Sequence, residues 1–257
     1  MGTCFVTRLR TVAGNSSLPK FNKLYVEANL PTHDTATKIE FKLITTVANA
    51  NVAHLKIVNG VGNFISPDSG VALSSDVLLR DMKVTRKVIV GGNDYYEYLV
   101  NASLGKYTIE IDNKGDFVGI TAQSYGGIVF DIDTLKYLKN LYYININKDN
   151  FGTNNAKGDI SALANKSYLS TVYLSYCNVT GNIDSLAEST NLTEVGVAST
   201  AIEGSIESFA SKQISAGRTS GTVLFRAENS RVTYNGQILK KRINVTYNQK
   251  SYSVADA

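Results

Sequence analysis

The chain has 257 residues, 43% apolar and 19% charged, with 26 Lys+Arg against 22 Asp+Glu and a formal net charge of +4. That composition describes a chain that folds around a core, not a disordered or collagen-like one, and its length allows one large or two small domains. The two cysteines, Cys4 and Cys177, exclude a disulfide scaffold, and no apolar run approaches the ~18 residues of a membrane span.

Residues 1–31 carry Arg8, Arg10, Lys20 and Lys23 against Glu27, a net of +3, with Pro19 and Pro31 as punctuation. They read as an extended basic arm that either docks on a neighbour or pairs with its own sheet. Leu24, Val26 and Ala28 alternate within it. Met1–Val6 lacks a charged start followed by an apolar core, so no signal peptide is expected. Six N-x-[ST] sequons, at Asn15, Asn101, Asn165, Asn178, Asn191 and Asn244, then read as by-products of composition.

Residues 32–117 alternate with period 2 in Ile39-Phe41-Leu43, Leu55-Ile57, Val88-Val90 and Tyr107-Ile109-Ile111. Turn clusters such as Asn59-Gly60, Gly91-Gly92-Asn93-Asp94 and Asp112–Asp116 separate them. This predicts an antiparallel β domain of sandwich type. Ser74–Lys83 is compatible with a helix.

Residues 118–222 repeat. Gly158, Gly181 and Gly204 lie 23 apart, as do Ile160, Ile183 and Ile206, and Leu163, Leu186 and Phe209. One unit reads Leu169-x-x-Val172-x-Leu174-x-x-Cys177-x-Val179-x-Gly181-x-Ile183, and the next runs from Leu192 through Val195, Val197, Thr200, Ile202 and Gly204 to Ile206. An earlier unit runs Leu141, Ile144, Ile146, Asp149, Phe151, with a five-residue insertion before Gly158, and a degenerate unit spans Val118 to Ile132. Alternate residues of each short strand should point inward, and one unit cannot bury its own apolar face, so the units must stack. A parallel β-helix would satisfy the same physics. The pattern resembles the leucine-rich-repeat family, although Cys177, Thr200 and Asp149 stand where that family has Asn. The resemblance implies an α/β-type solenoid.

Residues 223–257 are β-rich, with a hairpin signal at Asn235-Gly236 between Val232–Tyr234 and Ile238–Leu239, and read as a C-terminal β cap. The expected fold is thus mainly β: an N-terminal antiparallel domain, a short repeat solenoid and a cap. Charge follows the same divisions. Residues 32–116 carry a net −1, residues 117–212 a net −3 and residues 213–257 a net +5. Basic ends around an acidic middle suggest end-to-end contact, and the mild overall excess does not argue for nucleic acid.

Catalytic and metal-binding patterns are sparse. His33 and His54 form no paired-ligand spacing, and Gly60-Val61-Gly62-Asn63-Phe64-Ile65 fails the last position of a dinucleotide loop. Asp112–Asp116 has Lys114 inside it and no closing Glu, so it reads as a turn and not a calcium loop. Asp131 and Asp133 are expected on one side of a strand, where such a pair is usually solvated. No enzyme, cofactor or metal is expected. Outward rows on the repeat strands should be Tyr143-Thr171-Glu194, Asn145-Tyr173-Gly196 and Lys148-Tyr176-Ser199. Tyr143, Tyr173, Tyr176 and Glu194 are therefore the candidate contact residues.

The opening Phe5-Val6-Thr7-Arg8-Leu9 with Leu18-Pro19-Lys20, a β domain and Asn/Tyr-rich repeats resemble virion proteins of tailed phages of Bacteroidetes, including the crAss-like group. The resemblance implies a non-enzymatic head fibre or capsid-decoration protein, assembled in the host cytoplasm. It would be a homo-oligomer, a trimer by that resemblance, and Arg8, Arg10, Lys20 and Lys23 would anchor it to capsid or other virion proteins. A host-surface ligand would meet the repeat face. No nucleic acid or membrane partner is expected. The alternative is a bacterial surface module that binds glycan or protein through that face.

Overall fold

A computed structural model describes residues 23–29, 36–112, 117–122, 127–147, 156–235, 243–248 and 250–252. The protein is mainly β and is built from two large mixed sheets. In chain order, the first half contributes β1 (Lys23–Ala28), β2 (Ile39–Thr45), α1 (Val47–Ala50), β3 (His54–Val58), β4 (Phe64–Ile65), β5 (Asp76–Leu78), β6 (Lys83–Val90), β7 (Asn93–Ala102) and β8 (Tyr107–Asp112). The second half contributes β9 (Gly119–Thr121), β10 (Ile128–Asp131), β11 (Tyr143–Asn145), β12 (Ala156–Asp159), β13 (Thr171–Tyr173), β14 (Asn178–Asn182), β15 (Glu194–Gly196) and β16 (Ala201–Ser205). After these come α2 (Ile206–Ser215), β17 (Gly221–Arg226), β18 (Arg231–Thr233), β19 (Ile243–Tyr247) and β20 (Lys250–Tyr252).

Sheet A runs β18-β16-β14-β12-β10-β1-β8-β3-β5. Sheet B runs β20-β19-β17-β15-β13-β11-β9-β2-β7-β4, with β6 also paired to β7. The sheets face one another. Phe41 of sheet B meets Phe130 of sheet A edge to face, with ring centroids 5.6 Å apart. A single buried cluster extends from Leu24 to Val232 between them.

The first half pairs antiparallel, as its alternation predicted. Ile39, Phe41 and Leu43 turn inward from β2, and Tyr107, Ile109 and Ile111 from β8. In the second half successive units add one strand to sheet B and one to sheet A, followed by a short 3₁₀ turn that is replaced after β16 by the ten-residue α2. Val172 lies opposite Ile144 and Val195, and the Thr171/Glu194 pairing keeps the 23-residue step. Val172, Leu174, Val195 and Val197 are fully buried.

Several expectations change. Residues 1–31 are not an arm throughout, because Lys23–Ala28 is an interior strand. β1 sits between β8 and β10, with Val26 opposite both Ile109 and Phe130. Its alternating Leu24, Val26 and Ala28 supply the apolar face that interior placement requires. The boundary at 117/118 falls inside continuous sheets, since β2 pairs with both β7 and β9.

The boundary at 222/223 also moves. β17 pairs parallel to β15, and β18 parallel to β16, so Val223-Leu224-Phe225 adds another unit before the terminal β19 and β20. Ser74–Lys83 forms β5, one 3₁₀ turn at Leu79–Asp81 and the start of β6, with no α-helix. Residues 236–240, with the second half of the expected Asn235-Gly236 hairpin, lie outside the described residues.

Candidate functional site

The outer face of sheet B gathers the tyrosines. Tyr143, Thr171 and Glu194 stand in one row, and Asn145, Tyr173 and Gly196 in the next, as the two-residue period requires. β9 extends these rows with Gly119 and Thr121, and β17 with Leu224 and Arg226. The third expected row is described only at Tyr176 and Ser199, since Lys148 lies outside the described residues.

Gly196 makes room for Tyr173. A Cβ on Gly196 would stand 2.6 Å from Cδ1 of that ring, so the ring lies across the neighbouring strand. Tyr143 leans towards Tyr142, with centroids 6.5 Å apart, and its hydroxyl oxygen accepts from Asn145 Nδ2 at 3.3 Å. Tyr176 is the most exposed of the set at 49% and occupies the left-handed region at φ 61°. Its N–H donates to the Ala198 carbonyl at 2.7 Å, which fixes the turn that projects it. Glu194 is half-buried and Arg226 exposed. Rings, a carboxylate and a guanidinium thus share one wall.

Of the expected anchoring set, Lys23 is the member that lies among the described residues. Arg8, Arg10 and Lys20 lie outside the described residues. Lys23 is ion-paired with Glu110 on the outer face of sheet A. The hydrogen bond to Glu110 raises the Lys23 ammonium above its ordinary value, against a smaller opposing effect of burial.

Asp131 and Asp133 do not form a strand-face pair. Asp131 ends β10 and caps the 3₁₀ turn Ile132–Tyr137, its Oδ1 accepting the Asp133 N–H at 3.1 Å. Asp133 Oδ1 accepts the Asp159 N–H from the next unit at 2.8 Å. Burial pushes the Asp131 carboxyl above its ordinary value, and the charges of Asp133 and Glu27 add to that push. His54 Nδ1 lies 3.0 Å from Asp76 Oδ1, and Lys56 approaches the same carboxylate, while His33 lies outside the described residues. Cys177 is buried and its Sγ donates to the Ile146 carbonyl at 2.9 Å. Among the described residues no three His, Cys, Asp or Glu side chains converge as a metal site, and no helix is long and apolar enough to cross a membrane.

Sequence reading missed a column of caps. Asp159, Asn182 and Ser205 each follow the repeat glycine, and each accepts a backbone N–H at the start of the helical turn behind it, from Ser161, Asp184 and Ser208. The signal was present as Gly-[Asp/Asn/Ser]-Ile, a cap residue directly before a helical turn. The glycine is required by the same column. Gly181 has φ +100°, and a Cβ there would stand 2.5 Å from Oδ1 of the Asp159 cap one unit earlier.

Buried charges were also missed, Lys166 and Glu97 among them. Lys166, 1% exposed, donates through Nζ to the Leu135 and Leu138 carbonyls, both at 2.9 Å, at the end of a 3₁₀ turn. Glu97, 3% exposed, accepts from Thr85 Oγ1 at 2.6 Å and from Arg86 Nε at 3.0 Å, with Lys42 Nζ at 3.4 Å. Neither position carries a sequence signal, because the partners are far along the chain or set by a bulge between Val84 and Arg86.

No family model matches the chain, and no curated protein matches it at a significant level.

Proposed function

We propose that the protein is a non-enzymatic structural module. In this reading its repeat units form a short solenoid of leucine-rich-repeat type, and the wall bearing Tyr143, Tyr173, Tyr176 and Glu194 meets a partner. One observation carries the reading: a single buried core runs beneath both halves, so the wall is held by sheets that continue through the whole molecule. A surface of that kind transmits load and presents fixed side chains, which is what an assembly component requires.

The virion setting rests on the resemblance of the opening segment. It gives the protein as a head fibre or capsid decoration, assembled as a trimer in the host cytoplasm, with Arg8, Arg10 and Lys20 attaching it to capsid proteins. Light scattering on the purified chain tests the oligomer. A mass three times 27.9 kDa is expected, and a mass of 27.9 kDa over a wide concentration range would remove the trimer. Deleting residues 1–20 should abolish attachment to the parent particle while leaving the melt cooperative.

A second reading, a bacterial surface module for glycan or protein, is favoured by the Tyr173 ring lying over Gly196 and the projected Tyr176. Binding of cell-surface material by the isolated chain, lost in Tyr176→Ala, would select it over the virion role.

A further inference from the structure

The chain enters β2 through Lys38 and Glu40, and β7 lies beside it with Asn101 directly opposite Glu40. On its other side Asn101 faces Ile65 of β4, so it is held from both edges. Asn101 is 2% exposed. Two neighbours orient its carboxamide. The amide oxygen accepts from Lys38 Nζ at 3.1 Å, and the amide nitrogen donates to Glu40 Oε2 at 3.1 Å. Lys38 Nζ itself lies 3.1 Å from that same Glu40 Oε2. An amine, a carboxamide and a carboxylate therefore close a triangle on one face of sheet B.

This triangle differs in kind from the ion pairs Lys56–Asp76 and Lys87–Asp94 of the same half. Those set an amine against a carboxylate, whose negative charge repels a nucleophile. Here the amine also meets a neutral carboxamide, whose carbon can be attacked. One carboxylate oxygen touches both the nitrogen that would attack and the nitrogen that would leave, which is where a proton shuttle has to stand. The seven-position pairing of β2 with β7 keeps the groups together for the life of the fold. Such fixed juxtaposition replaces the encounter that makes amines and amides unreactive towards each other in solution.

We propose that Lys38 and Asn101 join in an intramolecular amide bond that ties β2 to β7. The Lys38 and Glu40 side chains are 40% and 41% exposed, so water reaches both. The Lys38 ammonium first gives a proton to water, and the neutral amine swings from Oδ1 of Asn101 to Cγ. As Nζ attacks Cγ, Glu40 Oε2 takes a second proton from Nζ and passes it to Nδ2. The Nζ–Cγ bond forms, the Cγ–Nδ2 bond breaks and ammonia leaves, which takes up the proton shed at the start and departs as ammonium. Nothing is oxidised or reduced. The burial of Asn101 keeps bulk water from competing for the same carbon. The bond would fall where load crosses between the halves, since β2 pairs with both β7 and β9. It would also close the chain between residues 38 and 101 and so restrict the unfolded state. The step needs neither a partner nor the tyrosine wall.

The test is the intact mass of the purified full chain. It should fall below the mass of the sequence by one ammonia, and trypsin should release a branched peptide that joins the Lys38 and Asn101 segments. Lys38→Arg, at an exposed position, keeps the charge and should stay at full sequence mass, with unfolding at lower urea than wild type. Glu40→Gln should slow bond formation about a hundredfold or more, so that the freshly purified variant stands at full mass. A wild type at full sequence mass, both fresh and after prolonged incubation at mildly alkaline pH, would overturn the proposal. So would an ammonia loss that maps to Asn59-Gly60 or Asn235-Gly236, where a succinimide has the same mass. Complete cross-linking in fresh Glu40→Gln would remove the carboxylate from the step and overturn it as well.

Discussion

The two halves build the same pair of sheets by different means. In the first half, strands of up to ten residues pair antiparallel, as between β2 and β7 across seven positions. In the second half, strands of three to six residues pair parallel, and β13 touches β15 at three. Long antiparallel strands fix register by their own length and turns. Three-residue strands cannot, so the second half fixes register with recurring side chains: Ile and Leu in the core, and a cap and a glycine at each turn. Electrostatics divide the same way. Among the described residues the first half carries most of the ion pairs, such as Lys23–Glu110 and the Glu97 cluster, while the second half holds the Lys212–Asp184 pair and otherwise relies on caps such as Asp159 and Asn182.

The join is the place to break this comparison most severely. Among the described residues, β1 is the strand of sheet A that pairs antiparallel to the first half on one side and to the second half on the other. Deleting residues 1–29 should expose Ile109, Ile111 and Phe130 together and abolish the cooperative melt, as read by circular dichroism. The shorter deletion of residues 1–20 leaves β1 intact and should not.

Next in size is Val172→Asp. The side chain is fully buried between Ile144 and Val195. An unpaired carboxylate there should cost several kcal/mol. Because adjacent units share that core, hydrogen exchange should rise in β11 and β15 as well as in β13. Damage confined to β13 would mean that the units are energetically separate.

Glu97→Gln probes the first half's use of charge. Burial alone would raise the Glu97 carboxyl, but Thr85, Arg86 and Lys42 outweigh it and hold the group below its ordinary value. A depressed folded pKa gives stability that is full above the unfolded value, about 4.3, and is lost as pH falls through the folded value. Arg86 and Lys42 are partly exposed, so screening limits the loss in Glu97→Gln to about 1–2 kcal/mol at pH 7. Urea midpoints of wild type and variant should converge below pH 4. A constant gap down to pH 3 would show that the charge is not what stabilises the cluster.

The second half was the more legible in the sequence, and the reason is physical. Its core residues recur at fixed spacing, so Val172, Leu174, Val195 and Val197 could be placed inside from period alone. The first half showed its strands but not their order. Alternation in Leu24-Val26-Ala28 tells which side is apolar and nothing about which strand lies next door, so a central strand looked like part of an arm. The tyrosine wall was legible because row positions follow from register. The approach of Tyr168 to Gly91 was not, because it brings a loop of the second half against a hairpin turn 77 residues earlier in the chain.

A smaller effect tests the caps. Asp159 Oδ1 takes the Ser161 N–H, and this bond holds the carboxyl below its ordinary value. Asp159→Ala should lower stability by about 1 kcal/mol, the usual cost of losing a cap. Asp159→Asn should recover most of it, since Asn182 fills the same role one unit later. Equal losses in both variants would assign the effect to charge instead of capping.

The smallest expected change in stability, and the one that separates fold from function, is Tyr173→Ser. Its neighbours Val172 and Leu174 are fully buried, while Tyr173 is half-buried on the opposite face. Period 2 therefore demands opposite behaviour from adjacent residues. The ring covers Gly196 but fills no core space, so its removal should change the melting midpoint by only a degree or two. Partner capture should respond differently. If the wall is a contact surface, losing a central aromatic side chain should weaken binding by tenfold or more, since such residues carry most of an interface's affinity. A variant that melts early would mean that the Tyr173 ring is structural cover for Gly196. A variant that melts normally and still binds the partner at full strength would move the contact off this wall.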